Sequence, residues 1–149
     1  MALVLQNLFD MDDSGKLMPG YIDENRTWVL KPDAITLEYV QGAYNSSVMR
    51  ARKAEQKLLA EMPRSPDGWI ADTCGSAWVE MYRPCRKLLN LLKKADVVRQ
   101  GCYRGQWIFN KHAIKEQSIT VHEEAMEAMA KVLSSAFPGE DIHAHSWID

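Results

Sequence analysis

Apolar positions recur with helical spacing in three stretches of the chain. In the first, Val48, Ala51, Leu58, Leu59 and Met62 fall near one face, with Arg50, Lys53 and Lys57 largely off it. This predicts a helix ending near Glu61 and beginning at about Ala34 or Tyr44, with a break near Gly42. In the second, Cys85, Leu88, Leu89 and Leu92 line one side of a helix over 83–95. Pro84 suits its first turn, where a missing N–H is not needed. In the third, Val121, Ala125, Met129, Val132 and Phe137 predict a helix over 121–137, with Pro138-Gly139 as its stop. Thr120-Val-His-Glu123 reads as a capping box at its start.

Other stretches change period. Arg26-Thr-Trp-Val-Leu30 has strand character. Gly68-Trp-Ile70 predicts a very short strand and Ala71 to Trp78 a short helix. Residues 97–110 read as two strands around a turn, with Gly101 and Gly105 permitting the reversal and Trp107 and Phe109 alternating with Gln106 and Ile108. Asp10 to Gly20 is a polar loop, and Glu140 to Asp149 reads as a loose acidic tail.

Charge alters this picture more than composition does. The chain has 149 residues, an ordinary 46% hydrophobic content and a net charge of −2. That charge is unevenly spread: −4 over 1–48, +7 over 49–116 and −5 over 117–149. A basic middle between acidic ends points to a polyanionic partner for the middle. Three widely spaced cysteines, Cys74, Cys85 and Cys102, form no disulfide framework and imply a reducing compartment. The chain has no apolar run near 18 residues and no good signal peptide. The expectation is therefore a cytoplasmic protein, or a nuclear one in a eukaryote, without a membrane partner.

The order from about residue 48 to 110 is helix, short strand, short helix, basic helix, strand, turn, strand. With Leu58-Leu59, Gly68-Trp-Ile70, the run Leu88-Leu-Asn-Leu-Leu-Lys-Lys-Ala-Asp-Val-Val98 and the hairpin Arg99 to Asn110, it resembles the winged helix-turn-helix superfamily. The likeness covers about 60 of the 149 residues and is a pattern of elements rather than a signature. It implies an α+β, mainly α fold: an acidic extension over 1–45, a winged-helix domain over 46–112, and a C-terminal helix with acidic tail over 113–149. Ala71-Asp-Thr-Cys-Gly-Ser-Ala-Trp-Val-Glu-Met81, with its Gly75, departs from a clean helix-turn-helix.

On that reading helix 83–95 enters the major groove of duplex DNA, which admits an α-helix about 10 Å wide. Arg83, Arg86, Lys87 and Asn90 share a face suited to guanine, adenine and phosphate. Arg99 and Arg104 hold the wing, 97–110, on the backbone, and Arg64, Lys93 and Lys94 add phosphate contacts. The expected function is transcriptional regulation, with a homodimer formed through helix 121–137. The alternative is a protein-interaction adaptor or inhibitor, of phage or accessory type, with an apolar patch around Met126, Met129 and Phe137.

Catalytic and metal chemistry are not expected, nor is a cofactor. Asp10, Asp12, Ser14 and Gly15 match the first half of a calcium loop, but its twelfth position is Tyr21 instead of glutamate. His122, His143 and His145 match no zinc spacing. The cysteines carry no nucleophile signature, and there is no phosphate-cradling glycine loop.

Overall fold

The computed structural model describes the backbone of residues 21–22, 28–29 and 35–149, with side chains from 35 onward. The elements are β1 (Tyr21–Ile22), β2 (Trp28–Val29), α1 (Leu37–Glu61), β3 (Gly75–Tyr82), α2 (Arg86–Lys94), β4 (Val98–Gln100), β5 (Gln106–Phe109), α3 (Ile119–Ala136) and β6 (Asp141–Ile148). β1 and β2 pair as a small hairpin. The other strands form one antiparallel sheet in the order β4-β5-β3-β6. The fold is α+β, with mixed rather than mainly helical content.

From β3 onward the order β-α-β-β-α-β, with the last strand beside the first, is the split βαβ connectivity. β3 and β4 both pair antiparallel with β5, so they run parallel to each other and need a crossover, which α2 supplies.

Ala77, Val79 and Met81 of β3, Val98 of β4, Phe109 of β5 and Ile142 of β6 are buried on one sheet face. Against them pack Leu88 and Leu92 of α2 and the apolar side of α3, from Ala125 to Ala136, with Phe137 just after it. α1 runs along α3: Tyr39 donates its hydroxyl to the Ala136 carbonyl at 3.0 Å, and its ring meets Phe137 edge-on at 6.1 Å. Its buried positions, Tyr39, Val40, Gly42, Ala43, Ser46, Ser47 and Ala51, include several small residues that let two helices approach closely.

Several expectations change. α1 is continuous through Gly42, and its buried face lies in its first half rather than over 48–62. Residues 75–82 form a strand where a short helix was expected over 71–78, and the 64–70 segment is a turn closed by one bridge between Arg64 and Ile70. Pairing decides this: all eight residues of β3 are matched to β6. For the same reason Glu140 to Asp149 is no loose tail. α3 starts two residues before Val121, because Ser118 rather than Thr120 is its cap, accepting from the Val121 N–H at 3.3 Å. The boundary drawn at residue 112 runs through the core, since β6 and α3 pack on elements that precede it. The calcium-like loop of 10–20 lies outside the described residues.

Candidate functional site

α2 begins at Arg86, three residues later than the pattern implied, because Pro84 sits before Cys85, the N-cap, rather than inside the first turn. The Cys85 N–H donates to Glu140 Oε1 at 3.3 Å. Leu88 and Leu92 anchor the helix, which leaves Arg86, Lys87, Asn90, Lys93 and Lys94 exposed on its outer side. Its end is a full Schellman closure: the Asp96 N–H reaches the Lys93 carbonyl at 3.0 Å and the Val97 N–H the Leu92 carbonyl at 3.3 Å. Asp96 takes the left-handed position, with φ of 58°.

The β4–β5 hairpin follows directly, as the sequence pattern predicted. Its tip is tied down by one side chain. Gln106 donates from Nε2 to Glu80 Oε2 at 2.6 Å and accepts from the Tyr103 N–H at 3.2 Å. A Cβ on Gly101 would collide with the Gln106 side-chain amide, so this position has room only for glycine while Gln106 keeps its bonds. Arg104 is exposed at the tip.

Arg83 ends β3 with φ of 45°, an unusual conformation for a non-glycine residue. Its N–H donates to the Gly105 carbonyl at 2.8 Å, which brings Arg83 and Arg104 to the same end of the sheet. Arg99 lies on the edge strand β4, paired with Ile108 and level with Glu80.

The structure thus places Arg86, Lys87, Asn90, Lys93 and Lys94 on the outer side of α2, with Arg83 and Arg104 at the neighbouring end of the sheet, while Arg99 lies on edge strand β4 but on the sheet face turned away from α2. Among the described residues none of these cations forms an ion pair. Lys93 lies over the Trp107 ring at 5.1 Å. Arg64 does not belong to this group. It donates to the Gly68 carbonyl at 2.8 Å and pairs with Glu116 at 3.2 Å, near the opposite end of β3.

The sheet face turned away from the helices adds a feature that the sequence pattern did not suggest. Ser76, Trp78, Glu80 and Tyr82 of β3 alternate with its buried residues, and His143, His145 and Trp147 of β6 stand beside them. Trp78 and His145 rings lie 5.1 Å apart. Glu80 is buried on this face and also accepts from Trp78 Nε1 at 3.2 Å. A period-two pattern in 76–82 and 141–147 was the available signal.

Comparison with family models, with curated proteins and with solved structures returned no match.

A second polar group lies where β5 diverges from β3. There Lys111 Nζ donates to the Ala77 carbonyl at 2.6 Å and to Ser76 Oγ at 3.1 Å, replacing the missing strand partner. Burial pushes the Lys111 ammonium below its ordinary range, with nearby Arg99 adding to the effect. His122 Nε2 donates to the Glu116 carbonyl at 2.8 Å, which leaves Nδ1 to face Lys111 Nζ at 3.4 Å as an acceptor. That is a neutral imidazole, and burial lowers its pKa from the usual value. His112 contacts Glu55 at 3.1 Å, and its buried Nδ1 has no hydrogen-bond partner. Among the described residues no group of three His, Cys, Asp or Glu is arranged to hold a metal ion. His122 lies in the interior, apart from His143 and His145. Cys74, Cys85 and Cys102 are all exposed thiols, although the helical pattern had placed Cys85 on a buried face.

The apolar patch expected around Met126, Met129 and Phe137 is core instead: all three are buried between α1 and the sheet. What α3 leaves exposed is Thr120, Glu123, Glu124, Glu127, Lys131 and Ser134. No helix among the described residues is long and apolar enough to cross a membrane.

Proposed function

We propose that this protein binds nucleic acid, with duplex DNA held on the α2–β4–β5 side and a role in transcriptional regulation. The observation that carries the reading is the row of unpaired cations on α2 and the hairpin. Unpaired surface cations cost little to bring against phosphate, and each neutralised phosphate releases a counterion. Arg86, Lys87 and Asn90 face outward from a helix whose apolar side is committed to the core, so that helix can meet a groove without unfolding. Arg83 and Arg104 flank its start, and Arg99 lies on the neighbouring edge. Of the winged-helix expectation this proposal keeps one half, a basic helix that closes and feeds a hairpin. The helix that would precede it in a helix-turn-helix is replaced by β3.

A second reading is favoured by the open sheet face. Trp78, Tyr82 and Trp147 on adjacent strands form the kind of aromatic platform on which single-stranded bases stack.

The test is fluorescence anisotropy with a labelled random duplex and a single strand of equal length, each at two salt concentrations. We expect the duplex to bind, and the Arg86→Ala/Lys87→Ala double variant to lose about tenfold or more in affinity while keeping its circular dichroism. Undiminished duplex binding by the folded double variant removes α2 from the interface. Preferential single-strand binding that Trp147→Ala abolishes moves the site to the sheet.

A further inference from the structure

The two edges of the sheet are built differently. β4 has three residues, and Arg99 and Gln100 are exposed on it. A short, charged edge is a standard protection against pairing with another chain. β6 has eight residues in unbroken register with β3, and over Ala144-His-Ser-Trp-Ile148 it carries no lysine, proline, glycine or bulge. Among the described residues no strand pairs with its outer side. Trp147 and Ile148 are 65% and 63% exposed, two of the most exposed large apolar side chains described.

The hydrogen-bonding phase of that edge follows from one contact. The Asp149 N–H donates to the Cys74 carbonyl at 3.1 Å, so odd-numbered residues of β6 turn their main-chain groups toward β3. Even-numbered residues therefore turn theirs outward. Ile142 already has a partner there, since Ser134 Oγ donates to its carbonyl at 3.3 Å. The unpartnered part of the edge is Ala144, Ser146 and Ile148.

We propose that this edge pairs antiparallel with β6 of a second copy of the chain, about a two-fold axis through Ser146. That register matches Ala144 with Ile148 of the second copy, and Ser146 with its own equivalent, so each outward N–H and C=O finds a partner. It also sets His145 opposite Trp147, an aromatic pair, and His143 opposite Asp149, where an imidazole N–H can donate to a carboxylate, both on one face. The register centred on His145 is disfavoured: it would oppose Asp141 and Asp149, two like charges, and would use the Ile142 carbonyl that Ser134 already occupies. A second copy is the occupant because the edge is complementary to itself in both hydrogen bonds and side chains. The pairing makes one eight-stranded sheet and covers Trp147 and Ile148. It leaves both α2–β4–β5 sides at the far ends, with β4 strands about 34 Å apart at seven strand spacings. The dimer does not depend on nucleic-acid binding. Where both hold, this spacing suits half-sites one helical turn apart.

The test is sedimentation equilibrium of the full chain without nucleic acid, together with cross-linking. We expect a dimer for the wild type and a monomer for Ser146→Pro and for Trp147→Lys, each with unchanged circular dichroism. Trp147→Lys alters an exposed side chain, so it remains informative if the proline variant misfolds. In a chain whose three native cysteines are serine, Ser146→Cys is expected to oxidise to a disulfide dimer, because paired residues of this type lie about 5.5 Å apart at Cα. A monomeric wild type at about 100 μM, well above the roughly micromolar range typical of specific association, overturns the proposal. So does a dimer that survives Trp147→Lys and that the Ser146→Cys variant does not cross-link.

Discussion

Asp72 shows how much one side chain can organise. Ser118 donates its hydroxyl to Asp72 Oδ2, the Thr120 N–H reaches the same oxygen at 3.1 Å, and the Thr73 N–H reaches Oδ1 at 2.8 Å. Ser118 is the N-cap of α3, so Asp72 is a second cap delivered from 46 residues away, with its charge at the positive end of the helix. The Ser118 hydroxyl first, and then the Thr120 N–H, hold the carboxyl down to about 2. A lowered carboxyl pKa contributes stability that is present above the ordinary aspartate value of about 4 and lost on acidification. For Asp72 the loss runs from there down through about 2. Asp72→Ala is therefore expected to destabilise the fold by about 0.5 kcal/mol at pH 7, at the low end for a cap because the carboxylate is solvent-screened. Urea melts of both proteins should converge as pH falls from 4 toward 2. A gap that stays constant over that range would show that the Asp72 charge contributes nothing. At this scale the sequence was least legible. The capping residues Ser118 and Asp72 lie far apart in the chain, and Thr120 and Glu123 offered a plausible local cap in their place.

Among the elements, the hairpin was the most legible, while α1 was legible as a helix but not in its buried face. Hairpin geometry is local: Gly101 and Gly105 permit the reversal, and the apolar alternation of 106–109 selects a core face. What holds its tip is less visible, since Gln106 bridges Glu80 of β3 and the Tyr103 N–H. Gln106→Leu removes both bonds and takes from the buried Glu80 carboxyl the closer of the two donors described above, the other being Trp78 Nε1. We expect a loss of about 1–3 kcal/mol, together with faster hydrogen exchange at the 101–105 turn. Unchanged exchange there would mean that the backbone bonds alone fix the tip. The buried face of α1 is hard to read because its residues are small. Gly42, Ala43, Ser46 and Ser47 carry little hydrophobic signal, yet they lie under α3, where size rather than polarity decides fit. Leu58 and Leu59, which carry the stronger signal, are only half-buried.

Among the described residues the two edges of the sheet differ in charge, while the face between α1 and α3 mixes Arg50, Lys53, Lys57 and Lys131 with Glu61 and Glu124. Unpaired cations gather on the α2–β4–β5 side, while Glu123, Glu124, Glu127, Asp141 and Asp149 gather around α3 and β6. Such a molecule orients itself in the field of a polyanion, with the basic side leading. If that side meets phosphates, log affinity for duplex DNA should fall linearly with log salt, and the Arg86→Ala/Lys87→Ala variant should reduce the slope by about 2. Equal slopes for the two proteins would place Arg86 and Lys87 away from phosphate. The charge segregation was already visible along the chain as a basic middle and acidic ends. Its spatial meaning came from the sheet order, which puts the acidic C-terminal strand at one edge and the basic hairpin at the other.

Local spacing along the chain was enough to place three amphipathic helices, the basic character of α2 and the hairpin after it, because helical periodicity, prolines and glycines act within a few residues. It did not reveal that 75–82 is a strand, that 141–148 joins it, or that the sheet keeps one open aromatic face. Those features depend on pairing between segments 59 to 73 residues apart in register, and a strand of small and polar residues such as Ala144 and Ser146 acquires its identity only from the neighbour that satisfies its main chain.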